Sequence, residues 1–139
     1  MKDKIIYRNF QKGDYEEACK WWDWWWKGEA PIERELLPPD EHCFLVEKNN
    51  IPIVAGFLYA HAKAPVGYFT YMVSNPDYRE KDRRNIIESL IQYVEDESKK
   101  QGIKFLFTVC GSTHMENIHT KLGWTVDKTA PAYETFKYI

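Results

Sequence analysis

The feature that most restricts the fold is the ordered run from Val66 to Trp124. Val66 to Val73 is apolar, aromatic and β-branched, and reads as a strand. A turn crowded with basic residues follows. Ile86, Ile87, Leu90, Ile91 and Val94 then recur at helical spacing, which predicts an amphipathic helix from about Glu80 to Gln101. Lys99 and Lys100 suit its last turn, and Gly102 its C′ position. Ile103 to Cys110 is nearly all apolar and predicts a strand at a buried sheet centre. Thr113 and Glu116 have capping-box spacing and open a short helix ending near Gly123.

The first half supplies the rest of a sheet. Lys4 to Phe10 reads as a strand, and Asp14 with Glu17 predicts the cap of a helix running to Lys27-Gly28. Tyr15, Ala18, Cys19, Trp22, Trp25 and Trp26 share its apolar stripe, Trp21 sits on the flank, and Trp24 points to the opposite side. Ala30 to Asp40 is broken by Pro31, Pro38 and Pro39, with room for one helical turn around Glu33 to Leu37. Cys43 to Lys48 and Ile51 to Ala60 flank Asn49-Asn50, a pair suited to a hairpin turn with positive φ. Gly56 inside the second run predicts a bulge or a close backbone approach. With Val66 to Val73 these strands form an antiparallel meander. Trp124 to Lys128 and Ala132 to Tyr138 read as closing strands. The expectation is one mixed α/β (α+β) domain over 1–139, with element order β-α-(α)-β-β-β-α-β-α-β-β.

A chain of 139 residues buries one real core and rarely two. Its net charge of −2 argues against a dedicated nucleic-acid binder, which carries a basic excess. The three cysteines are widely spaced in apolar runs and read as buried free thiols. No apolar run is long enough to span a bilayer, and the charged first ten residues lack a signal-peptide core, so a cytoplasmic protein is expected. Walker A, Cys-x-x-Cys and His-Glu-x-x-His patterns are missing, and His114 and His119 are misplaced for zinc on one helical face. No metal is expected.

The turn Asn75-Pro76-Asp77-Tyr78-Arg79-Glu80-Lys81-Asp82-Arg83-Arg84 opens the long helix. A helix N-terminus presents unpaired amides and the positive end of its dipole, so it favours an anion. The element order, this strand–basic turn–helix junction and the closing Lys121-Leu122-Gly123-Trp124 resemble the GNAT superfamily of N-acetyltransferases. The resemblance implies acetyl-CoA as cosubstrate, direct transfer of the acyl group to a small-molecule amine, and a sheet splayed between its fourth and fifth strands. It implies that Met72, Val73 and their strand hold the pantetheine arm and acyl carbonyl, and that the turn wraps the pyrophosphate. Arg79 matches the leading basic position, but Asp82 and Arg84 stand where the family has glycines. Arg79, Arg83 and Arg84 are then the expected phosphate ligands, through side chains.

In the family's last helix an Asn is followed about seven residues on by a Tyr that protonates the departing thiolate. Here Ser112 takes the first place and His119 the second, which makes His119 the expected general acid. No general base is singled out; Glu80, Asp77 and Tyr71 lie on suitable elements. Trp24 and Tyr71 are the expected acceptor-binding residues, because a large exposed aromatic marks a ligand or partner surface. The glycine-poor loop, the Trp-rich helix, Gly56-Phe57-Leu58-Tyr59 and Val73-Ser74-Asn75-Pro76 resemble small bacteriophage-encoded members. The alternative reading is a non-catalytic module of the same fold, with a degenerate CoA site, acting through its Trp-rich surface in a homodimer or with a partner protein.

Overall fold

The computed structural model describes residues 2–129, 133 and 135–139. Its elements are β1 (Ile5–Asn9), α1 (Asp14–Trp26), two 3-10 turns (Arg34–Leu36 and Asp40–His42), β2 (Cys43–Lys48), β3 (Ile51–Ala60), β4 (Val66–Ser74), α2 (Arg83–Lys100), β5 (Phe105–Phe107) and α3 (Thr113–Lys121). The strands form one sheet in the order β1-β2-β3-β4-β5. The first three pairings are antiparallel, and β4 with β5 is parallel. Backbone proximity groups the chain into two compact units, Met1–Val109 and Cys110–Ile139.

Local chemistry explains the meander. Asn49 and Asn50 take φ of 51° and 67°, the left-handed pair that a two-residue hairpin requires. Alternation along β2 then sorts side chains to two faces. Cys43 and Leu45, with Ala55, Phe57 and Val73, join Phe10, Ala18, Trp21 and Trp22 in a core beneath α1. The ring of Phe57 lies 5.5 Å from that of Trp22 and 5.3 Å from that of Phe10. Ile86, Leu90, Ile91 and Val94 of α2 are buried against the opposite side, where α2 meets β2 and β3. The layered α/β reading holds.

Several expectations shift. Asp14 does not cap α1: Gly13 occupies the cap position, and the Asp14 carboxylate accepts from the Gln11 amide at 2.6 Å and from Arg8 at 2.6 Å. A cation on β1 outcompetes the helix amides for it. Trp21 is buried, whereas Trp25 is 39% exposed, because the last turn of α1 reaches the end of β4, beyond the sheet's cover. The long helix begins at Arg83 rather than Glu80, leaving residues 75–82 as loop. The strand expected at Ile103 to Cys110 shortens to Phe105–Phe107; among the described residues it pairs with β4 alone, and both its phenylalanines are exposed rather than set in a buried centre. Apolar composition cannot distinguish those two places. Trp124 to Lys128 is irregular, and the second closing strand falls on a stretch including Ala132 and Glu134, outside the described residues. Cys43 is buried, and burial pushes its thiol up to about 12; Cys19 and Cys110 are half-buried free thiols.

Candidate active site

β4 carries the first part of the site. It pairs with β5 over Val66, Gly67 and Tyr68, and the two strands part beyond Tyr68. On its other side the register with β3 slips between Ala55 and Phe57, opposite Val73 and Thr70, so the extra residue lies in β4. Tyr71 sits in this bulge at φ 55°, an uncommon conformation for a bulky residue. Gly56 faces the bulge, and a Cβ there would lie 2.4 Å from the Phe69 ring, which accounts for the glycine. The bulge re-aims the backbone of Tyr71, Met72 and Val73; the Tyr71 ring stands 6.3 Å from that of Tyr59.

The loop after β4 is anchored at its start. Buried Asn75 bonds β3 twice, through its amide to the Ile53 carbonyl at 2.7 Å and its side chain to the Pro52 carbonyl at 2.9 Å. Its Oδ1 accepts the Asp77 amide at 2.9 Å. Asp82, whose charge opposes anion binding, is engaged elsewhere. Lys48 Nζ lies 2.6 Å from one carboxylate oxygen, and the Tyr78 hydroxyl donates to the other at 2.5 Å. These bonds, Lys48 first, hold the Asp82 carboxyl below its ordinary range, and Asp82 in turn raises the Lys48 ammonium.

Arg79 and Arg83 are held differently. Arg79 donates to the Pro76 carbonyl at 2.6 Å, and its guanidinium lies 5.3 Å from the centre of a Trp24 ring. Arg83 donates to Ser74 Oγ at 2.6 Å and lies 5.2 Å from the centre of a Trp25 ring. Trp25 Nε1 donates to the Ser74 carbonyl at 2.8 Å. Arg84 turns away to Glu88, 3.3 Å distant. Trp24 therefore belongs with the loop cations. Among the described residues, the amides of Glu80, Lys81 and Arg84 donate to no protein group, while that of Arg83 donates to the Glu80 carbonyl.

In the unit Cys110–Ile139, Ser112 caps α3: its hydroxyl accepts the Met115 amide at 3.2 Å. His119 is 3% exposed, with Nδ1 2.7 Å from the Met115 carbonyl and 3.5 Å from Cys110 Sγ. A carbonyl only accepts, so Nδ1 carries the hydrogen. Nε2 is buried without a partner among the described residues. The Trp124 ring stands edge-on to the imidazole at 4.9 Å.

The family model of the acetyltransferase (GNAT) family matches residues 5–124. The chain belongs to the GNAT acetyltransferase family. An amino-acid acetyltransferase of Serratia proteamaculans (strain 568) is 30% identical over 77 residues, which are 55% of this chain and 17% of that protein. The chain thus spans a minor part of that relative. The fold resembles that of an aminoglycoside N-acetyltransferase solved with CoA, at a TM-score of 0.70, 17% identity and 97% coverage of each chain. It also resembles the ribosomal-protein-S18-alanine N-acetyltransferase of Escherichia coli, at a TM-score of 0.68 and 13% identity over 86% of this chain and 77% of that one.

For this GNAT member, the structure brings together Tyr71, Met72 and Val73 in the bulge, and Trp24, Arg79 and Arg83 at the loop. Sequence reasoning missed Lys48, Tyr78, Ser74 and Trp25 as partners of that loop. Lys48 lies 34 residues from Asp82 and Trp25 lies 49 from Ser74, separations at which no local pattern operates. No group of three or more His, Cys, Asp and Glu among the described residues is arranged to hold a metal ion, and no described helix is long and apolar enough to cross a membrane.

Proposed function

We propose that this protein is an acetyl-CoA-dependent N-acetyltransferase acting on a small-molecule amine. The observation that carries the reading is the Arg79–Arg83 pair at the end of β4, with the adjoining Asp82 engaged by Lys48. Two cations offer charge where the missing glycines would have offered amides, and the uncovered amides of Glu80, Lys81 and Arg84 add donors near a helix N-terminus. The part of β4 beyond its pairing with β5, which ends at Tyr68, suits an extended pantetheine arm, whose amide groups need strand-like partners.

The reaction is direct attack of a neutral amine on the thioester. The cosubstrate supplies the activated acyl group. The chain orients it: backbone at Tyr71 to Val73 receives the acyl carbonyl, and Arg79 and Arg83 hold the pyrophosphate, so positioning supplies most of the acceleration. His119 protonates the departing thiolate. Its Nδ1 hydrogen is committed to Met115, which leaves Nε2 as the nitrogen that gains and gives the proton.

The acceptor proposed is a small amine, since the matched Serratia relative is an amino-acid acetyltransferase and the similar CoA-bound structure an aminoglycoside N-acetyltransferase. Tyr71 and Tyr59 would line its approach. Calorimetric titration with acetyl-CoA tests the reading. It expects saturable heat with one site and a raised unfolding temperature; no heat and no thermal shift at millimolar ligand would refute it.

A further inference from the structure

Arg79 and Arg83 present an electrostatic problem that nothing nearby solves. Burial lowers the Arg83 pKa, and the positive charge of Arg79 lowers it further, so the two guanidiniums repel. Neither forms an ion pair with a carboxylate among the described residues. The nearby acids Asp82 and Glu88 are bound to Lys48 and Arg84. Besides the bonds of Arg79 to the Pro76 carbonyl and of Arg83 to Ser74 Oγ, each guanidinium lies against an indole, Trp24 under Arg79 and Trp25 under Arg83, with the indoles edge-on at 4.6 Å. Trp25 is itself fixed by its bond to the Ser74 carbonyl, and Arg83 by Ser74 Oγ.

We propose that Trp24 and Trp25 are positioning residues of the donor site, holding Arg79 and Arg83 as an anion-binding pair that replaces the amides of a glycine-rich loop. The proposal rests on the donor-site reading above. A cation–π contact does not consume N–H donors, so the donors of Arg79 other than Nε and those of Arg83 beyond the one on Ser74 remain to grip a phosphate. Two prealigned cations match the two charges of a pyrophosphate diester. Prealignment also lowers the ordering cost that long, mobile side chains impose on binding. The exposed indoles then have a reason to stay at the surface: Trp24 is 46% exposed and serves the donor rather than the acceptor.

The test compares coenzyme A with pantetheine, which lacks the pyrophosphate, by calorimetry. Wild type, Trp24→Leu/Trp25→Leu, Trp24→Phe and Arg79→Ala/Arg83→Ala are measured. The double leucine variant is expected to lose about 10-fold in affinity for coenzyme A, within the range of a cation–π pair at a partly exposed site. Its affinity for pantetheine should equal that of wild type, and Trp24→Phe, which keeps a ring, should bind coenzyme A within about 3-fold of wild type. Unfolding temperature and near-ultraviolet circular dichroism verify that each variant is folded.

If the folded leucine variant binds coenzyme A like wild type while the alanine variant does not, the tryptophans do not position the arginines, and the donor-site reading survives. Equal losses for coenzyme A and pantetheine also overturn the proposal, since the indoles would then act away from the phosphates. If wild type binds neither compound, both the proposal and the reading fail.

Discussion

Gly56→Ala isolates the contact on which the β4 bulge depends. The added methyl would lie 2.4 and 2.6 Å from two carbons of the Phe69 ring and 3.5 Å from Leu90. Ordinary contacts begin near 3.4 Å, so the ring or the strand must move by about 1 Å. Phe69 is 2% exposed and packed in the core, so the ring has no free direction. Overpacking of this kind costs about 1–3 kcal/mol. For a domain of this size that is roughly 3–10 °C of unfolding temperature. Urea and thermal unfolding measure it, and Phe69→Leu supplies the partner for a double-mutant cycle. Phe69→Leu alone should destabilise by about 1 kcal/mol through lost burial. The double variant should be at least about 1 kcal/mol more stable than the sum of the single effects, because leucine removes the clashing carbons. Additive effects, or a Gly56→Ala protein as stable as wild type, would refute the claim that ring approach dictates glycine here.

His119→Phe should preserve the fold, trading the Nδ1 bond to Met115 for removal of the unpartnered Nε2, yet lower turnover of an identified amine by about 10²-fold or more; equal turnover by wild type, Phe and Tyr variants in a coenzyme A release assay would remove His119 from the chemistry. Asp82 has its carboxyl depressed in the fold, so its stabilising contribution is present above the unfolded carboxylate range and disappears as pH falls through the lower folded value. Wild type should therefore exceed Asp82→Asn in stability at neutral pH and converge with it in acid, and a gap independent of pH would contradict the Lys48 pairing. Asn50→Val should destabilise the β2–β3 hairpin by about 1–2 kcal/mol, while Asn50→Gly should be neutral or slightly stabilising, because φ of 67° suits glycine and strains a β-branched residue. Thermal unfolding separates the two, and equal melting temperatures would argue against the left-handed turn.

What the sequence alone determined was governed by short-range rules, and only where no distant partner intervened, as Arg8 does at Asp14. Asn49-Asn50 dictated its hairpin because few other residue pairs tolerate two positive φ angles. The stripe of Ile86, Leu90, Ile91 and Val94 identified the buried face of α2, since helical periodicity is a local property. Gly56 announced a bulge or a close approach; the Phe69 ring lies where its Cβ would stand, and the bulge is in the facing strand β4 at Tyr71. Tertiary structure decided the rest, because side-chain partners are chosen by proximity in space. Only the packing of α1 on β4 exposes Trp25 and sets it under Arg83. Only the sheet brings Lys48 from β2 to Asp82, turning a charge that looked hostile to an anion into half of an ion pair. The same apolar residues that read as a buried strand at Phe105–Phe107 are exposed and, among the described residues, pair with β4 alone, because composition records a side chain's preference and not which neighbour arrives to cover it.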